Sequence, residues 1–574
     1  TMSKHTTANN AGFNSRYIVI LTAFVLVLLA VAGRLAYLHI LKHEFLRTQG
    51  EARTVREVKV AAYRGMIKDR NGESLAVSTT VDSVWMNPKQ LEIADPKLSQ
   101  LAKLLHISHK QLQDKIRNYT KANKEFAYLK RHIDPRLSNK IKALQIAGVN
   151  LIQEYRRYYP TGEVTAHVLG FTDIDDKGQE GLELAFNSWL QGKSGKKRIE
   201  QDRLGREVEY LANIAEVQPG NDLVLSLDER LQYLAYKAVD ASVQKHKAVS
   251  GTAVVLDIKT GEVLAMVNNP SFNPNQRERS KQAKYYRNSA VTDAFEPGSV
   301  IKTFSLASVL ENTKITSATL VDTKPGYMRL QGKVIRDIHN NGVLDVGSIL
   351  KESSNIGITK LALNLQPREL WDTYDRLGFG WSTGSGFPGE SAGTLSLPRP
   401  GQDFVLATMS FGYGIAVTPL QLAQAYAIIG AGGIKRPVSF LKLDEAPAGT
   451  RVLNPNVARQ VMGMLTAAVE HEKSNARVPG YHVAGKTGTV RQLGKDGYEE
   501  GRYRAVFGGL APAINPRVAI VVAINEPSTG EYYGNQVAAP VFAKIASGAL
   551  RLLKIAPDLL DTHGVHVAHN GNRH

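Results

Sequence analysis

The spacing of apolar positions changes several times along this chain, and each change predicts a different element. Tyr17 to Gly33 (YIVILTAFVLVLLAVAG) carries no charge, and Leu35 to Leu41 continues mostly apolar beyond Arg34. At about 1.5 Å rise per residue the run is long enough to span a bilayer, with the Arg34 head snorkelling to the interface. Ala30-Val31-Ala32 is also a small-x-small box of the kind that ends a cleaved signal peptide. The apolar stretch is long for a signal core and runs past that box, which favours an uncleaved anchor over 17–41. Lys4 and Arg16, with no acidic residue before the anchor, favour a cytoplasmic tail (1–16) and export of the rest.

Past the anchor, Ala62 to Ala76 (AYRGMIKDRNGESLA) places an Asn-Gly turn between short apolar runs, a hairpin signal. Amphipathic helical spacing follows near Leu98 to Leu105 and Pro135 to Leu144. Tyr155 to Gly181, rich in Tyr, Arg, Gly and Asp, has the composition of connecting loops. Turn residues at Gln218-Pro219-Gly220-Asn221-Asp222 then precede the strand-like Leu223 to Leu227, and a domain boundary is expected there. Beyond it, Leu231 to Val243 has helical spacing and Gly251 to Val267 predicts two strands around a tight turn. Helices are predicted at Ser299 to Leu310, Val346 to Leu365 and Pro419 to Ile429, and strands at Val506 to Leu510 and Val518 to Ile524. This order predicts an antiparallel sheet packed against helices, an α+β or α/β sandwich. The expected segments are therefore a region 42–218, a second domain 219–555 and a flexible tail 556–574. Asp561 to His574, with four histidines, has little that could pack and is expected to be a disordered tail rather than a metal site.

Composition alters this picture little. The 574 residues are 43% hydrophobic, as in globular proteins, and cysteine is absent, which removes disulfides, thiol catalysis and cysteine-ligated metals. The formal charge of +18 could suggest nucleic acid. An exported chain rarely meets one, and the only dense run, Lys193 to Arg198 (KSGKKR), is expected to be a solvated loop. A basic surface facing anionic lipid or wall polymer accounts for the charge better.

Chemistry enters at Phe295 to Phe304 (FEPGSVIKTF), where Ser299 and Lys302 stand three residues apart after a Pro-Gly break. SxxK alone means little, since the chain contains it five times. Here Val300, Ile301, Phe304, Leu306, Val309 and Leu310 predict a largely buried helix beginning at the serine, on which Lys302 can reach the Ser299 hydroxyl. Burial, or a second cation nearby, would depress the lysine pKa and make it a usable base. The helix N-terminus would favour a developing oxyanion. Ser353-Ser354-Asn355 supplies an SxN triplet, and Lys486-Thr487-Gly488-Thr489 supplies KTGT among small residues. An earlier KTG, Lys259-Thr260-Gly261, has the composition of a hairpin turn and is expected to be structural. SxxK, SxN and KTG in that order form the motif set of β-lactamases and penicillin-binding proteins.

With these motifs the chain resembles the class B penicillin-binding proteins. RGMIKDRNGESLA (from Arg64), RRYYPTGEVTAHVLGFTD (from Arg156), GEVLAMVNNPSFNPN (from Gly261) and FGGLAPAINPR (from Phe507) extend the likeness over 17–555. The cell-division (septal) peptidoglycan D,D-transpeptidases of Gram-negative type are the most similar branch. The resemblance implies a single-pass inner-membrane protein with an elongated non-catalytic pedestal (42–218) and a periplasmic, serine β-lactamase-like transpeptidase domain (219–555). It implies Ser299 as acylated nucleophile, Lys302 as base, Ser353 as proton relay, Asn355 as a substrate-amide contact and Lys486 as second cation. Thr487 and Thr489, flanking Gly488, would hold a terminal carboxylate, with the N–H groups of Ser299 and Thr489 as oxyanion hole and Tyr413, Tyr532 and Tyr533 as an aromatic wall. Implied partners are D-Ala-D-Ala stem peptides, an amine acceptor, β-lactams, and division-machinery membrane proteins including a glycan polymerase. No metal or organic cofactor is expected. Val300, Ile301 and Thr303 depart from the family's usual residues around the lysine, and Phe411 from the first aromatic of its YGYG-like segment.

Five other readings share these residues. A D,D-carboxypeptidase would use water in place of the acceptor amine, and a β-lactamase would need a water-activating glutamate that no motif identifies. A penicillin-sensing receptor would need a signalling segment, and a non-catalytic scaffold would not need the complete catalytic set. A specialised paralogue of the septal enzyme also fits.

Overall fold

The computed structural model of the chain describes residues 11–201, 207–276, 283–471, 474–494 and 497–559. The histidine-bearing stretch 561–574 lies outside them. The chain forms two compact units, one from Thr1–Ala62, Thr80–Tyr155 and Lys193–Gln218, the other from Tyr63–Thr79, Arg156–Gly192 and Pro219–His574.

In the smaller unit the helix Ala11–Ala36 continues into a wider turn, Tyr37–Leu41. Within Arg16–Leu41 an 18-residue window reaches a mean hydropathy of 2.6 with none of that window buried, and among the described residues this helix alone is long and apolar enough to cross a membrane. Three antiparallel strands follow, with Gly195–Gln201 paired between Val55–Val60 and Glu207–Ala215. Lys193 to Arg198 is therefore not the solvated loop expected: its backbone enters a ladder, while strand alternation leaves Lys196 and Arg198 exposed. A separate small core gathers Leu98, Leu101 and Leu105 of the helix Lys97–Leu105 with Leu112 and Ile116 of the helix His109–Lys121 and with Val84 and Met86. The second of these helices was not among those expected from apolar spacing. Its signal is a capping box, in which Ser108 and Gln111 satisfy each other's backbone N–H groups.

The larger unit shows why one boundary near 218 does not describe the packing. Tyr155 to Gly181, expected as connecting loops, instead continues the strand Val149–Tyr158 and then supplies Tyr159, Ala166, Val168, Leu169 and Phe171 to the unit's main core. Arg64 Nε donates to Glu183 Oε2 and Arg157 Nε to Glu183 Oε1, both at 2.7 Å, with all three side chains buried. Arg64 also donates to the carbonyls of Asp176 and Glu183, and Arg157 to that of Gly65. Such charges are tolerated away from water because the shared carboxylate and the surrounding carbonyls meet their guanidinium groups, Arg157 Nη2 alone among these nitrogens finding no partner. These segments are thus held within the larger unit by core and by charge.

The centre of this unit begins with α1 (Glu229–Lys245), whose N-terminus is capped by Asp228. Strands β1 (Ser250–Asp257) and β2 (Val263–Asn269) follow as the expected hairpin. The lysine-threonine-glycine copy at 259–261 occupies its turn, with Gly261 at φ +78° and Asp257 Oδ1 accepting from Lys259 N at 2.8 Å. Next come α2 (Lys302–Asn312), α3 (Val346–Lys351), α4 (Asn355–Ala362), α5 (Pro419–Gly430) and α6 (Pro455–Glu470). Strands β3 (Ala484–Gly494), β4 (Gly497–Ala511) and β5 (Val518–Asn525) and helix α7 (Ala539–Leu552) complete it. The five strands form one antiparallel sheet in the order β2-β1-β5-β4-β3.

Alternation decides the layering. On β1, Ala253 and Val255 join the cluster containing Leu231 and Val239 of α1 and Phe542 and Ile545 of α7. Val254 and Leu256 join the opposite cluster, with Leu422 and Tyr426 of α5 and Phe304 of α2. Both faces are covered, so the strands are nearly continuous apolar runs instead of alternating ones. This leaves β3 at the sheet edge, beside the turn that carries Ser299.

Candidate active site

Ser299 lies in a tight turn, Gly298–Ile301, and α2 begins only at Lys302. The expected helix start at the serine is therefore one 3₁₀ turn early. Gly298 has φ +57°, and a methyl there would strike Val490 of β3; a methyl on Gly412 would overlap the Gly298 carbonyl oxygen. Gly298 N donates to Gly412 O at 3.2 Å. Glycine at both places lets the serine turn, β3 and the 411–414 loop close on one another.

Lys302 is fully buried. Its Nζ lies 2.5 Å from the Ser353 carbonyl oxygen, 2.7 Å from Asn355 Oδ1 and 3.3 Å from Ser353 Oγ. Burial pushes its pKa well below the ordinary lysine value, the Lys486 charge pushes the same way, and Asp337 opposes both. A neutral amine has two N–H groups and one lone pair. The carbonyl and amide oxygens can only accept, so they take the two N–H groups and leave the lone pair for a hydroxyl. That is the state a general base requires.

The predicted helix 346–365 is broken at the SxN triplet. α3 ends at Lys351, Ser353 adopts φ +57°, and Ser354 caps α4 by accepting from Gly357 N at 2.8 Å. The break places Ser353 and Asn355, the first residue of α4, beneath Lys302. Asp337, which apolar spacing and the motif set both missed, holds this turn: Oδ1 accepts from Asn355 N at 2.5 Å and Ile356 N at 3.0 Å, and Oδ2 from Ser354 Oγ at 2.5 Å.

On β3, Lys486 is buried and donates to its neighbour Thr487, to O at 3.1 Å and Oγ1 at 3.4 Å. Burial lowers its pKa to about 8, and Glu352 acts against the fall. Gly488 packs on the serine turn, where a methyl would press on Val300 and the Pro297 carbonyl. Thr489 Oγ1 accepts from Gly534 N at 3.0 Å, which leaves its hydroxyl hydrogen free to donate outward.

Aromatic groups flank this centre. Tyr413 meets Tyr498 edge-on at 5.3 Å, and Tyr498 donates to Glu296, three residues before Ser299, at 2.9 Å to Oε2 and 3.1 Å to Oε1. Gly414 N donates to the same carboxylate at 2.9 Å. Tyr532 stacks on Tyr503 at 4.2 Å and touches Tyr533 at 4.5 Å. Glu296 and Tyr498 were invisible to motif reasoning because they lie far apart in sequence. Among the described residues, no group of three or more His, Asp or Glu side chains could hold a metal.

Residues 251–547 match the penicillin-binding protein transpeptidase domain, and residues 59–225 the penicillin-binding protein dimerisation domain. The chain belongs to the penicillin-binding protein transpeptidases. It is 42% identical to a probable peptidoglycan D,D-transpeptidase, PbpC, of Pseudomonas aeruginosa, over 95% of this chain and 97% of that one. It is 40% identical to the peptidoglycan D,D-transpeptidase FtsI of Escherichia coli, over 96% and 94%. Among solved structures, penicillin-binding protein 3 of Mycobacterium tuberculosis complexed with aztreonam superposes with a TM-score of 0.67 at 27% identity, over 87% of this chain and 98% of that one. The transpeptidase domain of Burkholderia pseudomallei penicillin-binding protein 3 is 40% identical with a TM-score of 0.54, over 58% and 98%. The fold expectation of a penicillin-binding transpeptidase domain joined to a second domain is met.

Proposed function

We propose that this penicillin-binding protein is a peptidoglycan D,D-transpeptidase that cross-links stem peptides during septal wall synthesis, through an acyl-enzyme on Ser299. The observation that carries the reading is Lys302: buried, its pKa depressed, its N–H groups engaged by Ser353 and Asn355, and its charge opposed by Lys486. In the first step the Ser299 oxygen attacks the D-Ala-D-Ala amide carbon while its proton passes to the Lys302 lone pair. The N–H groups of Ser299 and Thr489 stabilise the oxyanion. Ser353 relays a proton to the departing nitrogen, and D-alanine leaves. In the second step an amine of a neighbouring stem peptide attacks the ester, its proton returns along the same route, and Ser299 is regenerated. Asn355 contacts the peptide amide. Lys486, Thr487 and Thr489 hold the terminal carboxylate, and Tyr413, Tyr532 and Tyr533 wall the site. β-Lactams enter as acylating analogues of the donor.

The apolar helix Arg16–Leu41 would anchor the chain in the inner membrane with the catalytic unit in the periplasm, in keeping with Arg16 and Lys4 on the other side. Division-machinery membrane proteins, including a glycan polymerase, would meet it there. The test is intact-protein mass after incubation with a penicillin, for the wild type and for Ser299→Ala. A persistent single adduct abolished by the substitution is expected; rapid adduct loss with drug hydrolysis would mean a β-lactamase, and no adduct a scaffold.

A further inference from the structure

One SxxK copy takes no part in the reaction above: Ser242 to Lys245 (SVQK) ends α1, and His246 is the C-cap of that helix. Residues four apart share a helix face, so Ser242 and His246 present a common surface. It meets the segment between β5 and α7, which carries Tyr532 and Tyr533. Ser242 Oγ donates to Val537 O at 3.2 Å. Ser528 N donates to His246 O at 2.9 Å, and Ser528 Oγ to Lys247 O at 3.0 Å. The tyrosine pair is thus tethered to the end of α1 on both sides.

A third link is incomplete. The His246 ring is buried, and its Nδ1 forms no hydrogen bond although Glu531 Oε2 lies 3.4 Å away. Lys245 Nζ stands 3.7 Å from the same oxygen, at the surface. A buried nitrogen without a partner costs free energy that a small movement of the half-exposed Glu531 would recover. Protonation of Nδ1 supplies both the hydrogen and the charge for that bond. Burial and the Lys245 charge hold the His246 pKa below its ordinary value, and Glu531 opposes them; among the described residues these are the charged groups that act on it. The bond is therefore made on the acid side of the ordinary histidine range.

We propose that His246 is a positioning residue for the aromatic wall: protonated, it binds Glu531 and draws the 526–533 loop onto α1, and neutral, it lets that loop relax. The inference rests on the acylation of Ser299 proposed above. The loop reaches the site at two points. Tyr532 stacks on Tyr503 at 4.2 Å, and Gly534 N, three residues past Glu531, donates to Thr489 Oγ1 at 3.0 Å. Holding Glu531 therefore holds the wall and the Thr489 hydroxyl where a donor or penicillin must fit, and small displacements there are costly.

The test is the second-order rate of acylation of the full chain, in detergent, by a fluorescent penicillin between about pH 5 and pH 7, across the ordinary histidine range. Dividing the Glu531→Gln rate by the wild-type rate at each pH removes the Lys302 ionisation common to both. Glu531 is half exposed, so this variant removes the contact without disturbing a core. The ratio is expected to fall about two- to five-fold from pH 7 to pH 5, the size of an ion pair with one partner in water. His246→Gln is expected to show the same fall. In a Lys245→Gln background the fall should begin at higher pH, because the cation that disfavours the imidazolium is gone. A merely structural contribution would lower the ratio equally at every pH. A Glu531→Gln ratio that does not change with pH, or the same onset with and without Lys245, would overturn the inference while leaving the transpeptidase reading intact. Failure of wild-type acylation itself would overturn both.

Discussion

Asn355 Oδ1 accepts a hydrogen bond from Lys302 Nζ at 2.7 Å, and the other end of the same amide, Nδ2, donates to the Arg336 carbonyl at 2.9 Å. The carbonyl can only accept, so it fixes which way the amide faces and turns an acceptor toward the lysine. Asn355→Asp replaces that neutral acceptor with an anion. A nearby negative charge favours protonated Lys302 and raises its pKa, so less free amine exists at pH 7. Penicillin acylation at pH 7 is expected to fall on the order of 10²-fold. It should recover as pH rises, seen as an ascending limb moved to higher pH.

Asp337 acts on the same lysine with the opposite expectation. Its charge holds the Lys302 pKa up, so Asp337→Asn lowers that pKa further and moves the ascending limb to lower pH. The asparagine also loses an acceptor for one of Ser354 Oγ, Asn355 N and Ile356 N. A stability loss of about 1–3 kcal/mol is expected, measured by urea denaturation.

Lys486 gives a descending limb. With a pKa of about 8 it is charged below that pH and neutral above it, so recognition of the donor or penicillin carboxylate weakens as pH rises through 8. Lys486→Arg stays charged throughout this range and should remove the limb, even where its different shape slows acylation at every pH. The stability contribution has its own sign. Between pH 8 and the ordinary lysine value the unfolded chain binds more protons than the folded one, so the Lys486 contribution to stability becomes more favourable with rising pH across that window.

Glu183 compensates two buried guanidinium groups, Arg64 and Arg157. Glu183→Gln leaves both without an anion, and a loss of about 3–5 kcal/mol is expected from breaking a buried pair. A lowered urea midpoint of the catalytic unit would register it. An unchanged midpoint would show that the two arginines do not depend on this carboxylate.

Gly412→Ala tests the closure of the serine turn. The position has φ +93° and no room for a methyl beside the Gly298 carbonyl. Acylation should fall about 10-fold or more, since small displacements of a nucleophile are costly. Ser299 should still label, more slowly, when the penicillin concentration is raised.

Much of the catalytic unit was legible in the chain. The hairpin about Gly261, the helices near 231–243 and 419–429 and the paired strands after 505 follow from period and turn chemistry alone, because those elements bury complete apolar faces. The helix His109–Lys121 was missed because its few apolar residues are diluted by charge. Tyr155 to Gly181 was misjudged because Arg157 and Glu183, polar by composition, are buried against partners distant in sequence. Composition reports a side chain's preference for water, whereas burial depends on whether its partner arrives.

The sequence by itself determined the order and spacing of SVIK, SSN and KTGT, and an apolar run long enough to cross a bilayer. These are local properties, held in neighbouring residues and in helix and strand periods. Only the tertiary structure decided that Lys302 is buried between Ser353 and Asn355, that Lys486 adds its charge there, and that Asp337 and Glu296 brace the turns around them. A lysine's pKa is set by the water it loses and the charges it meets, and both come from residues that the chain brings together only by folding.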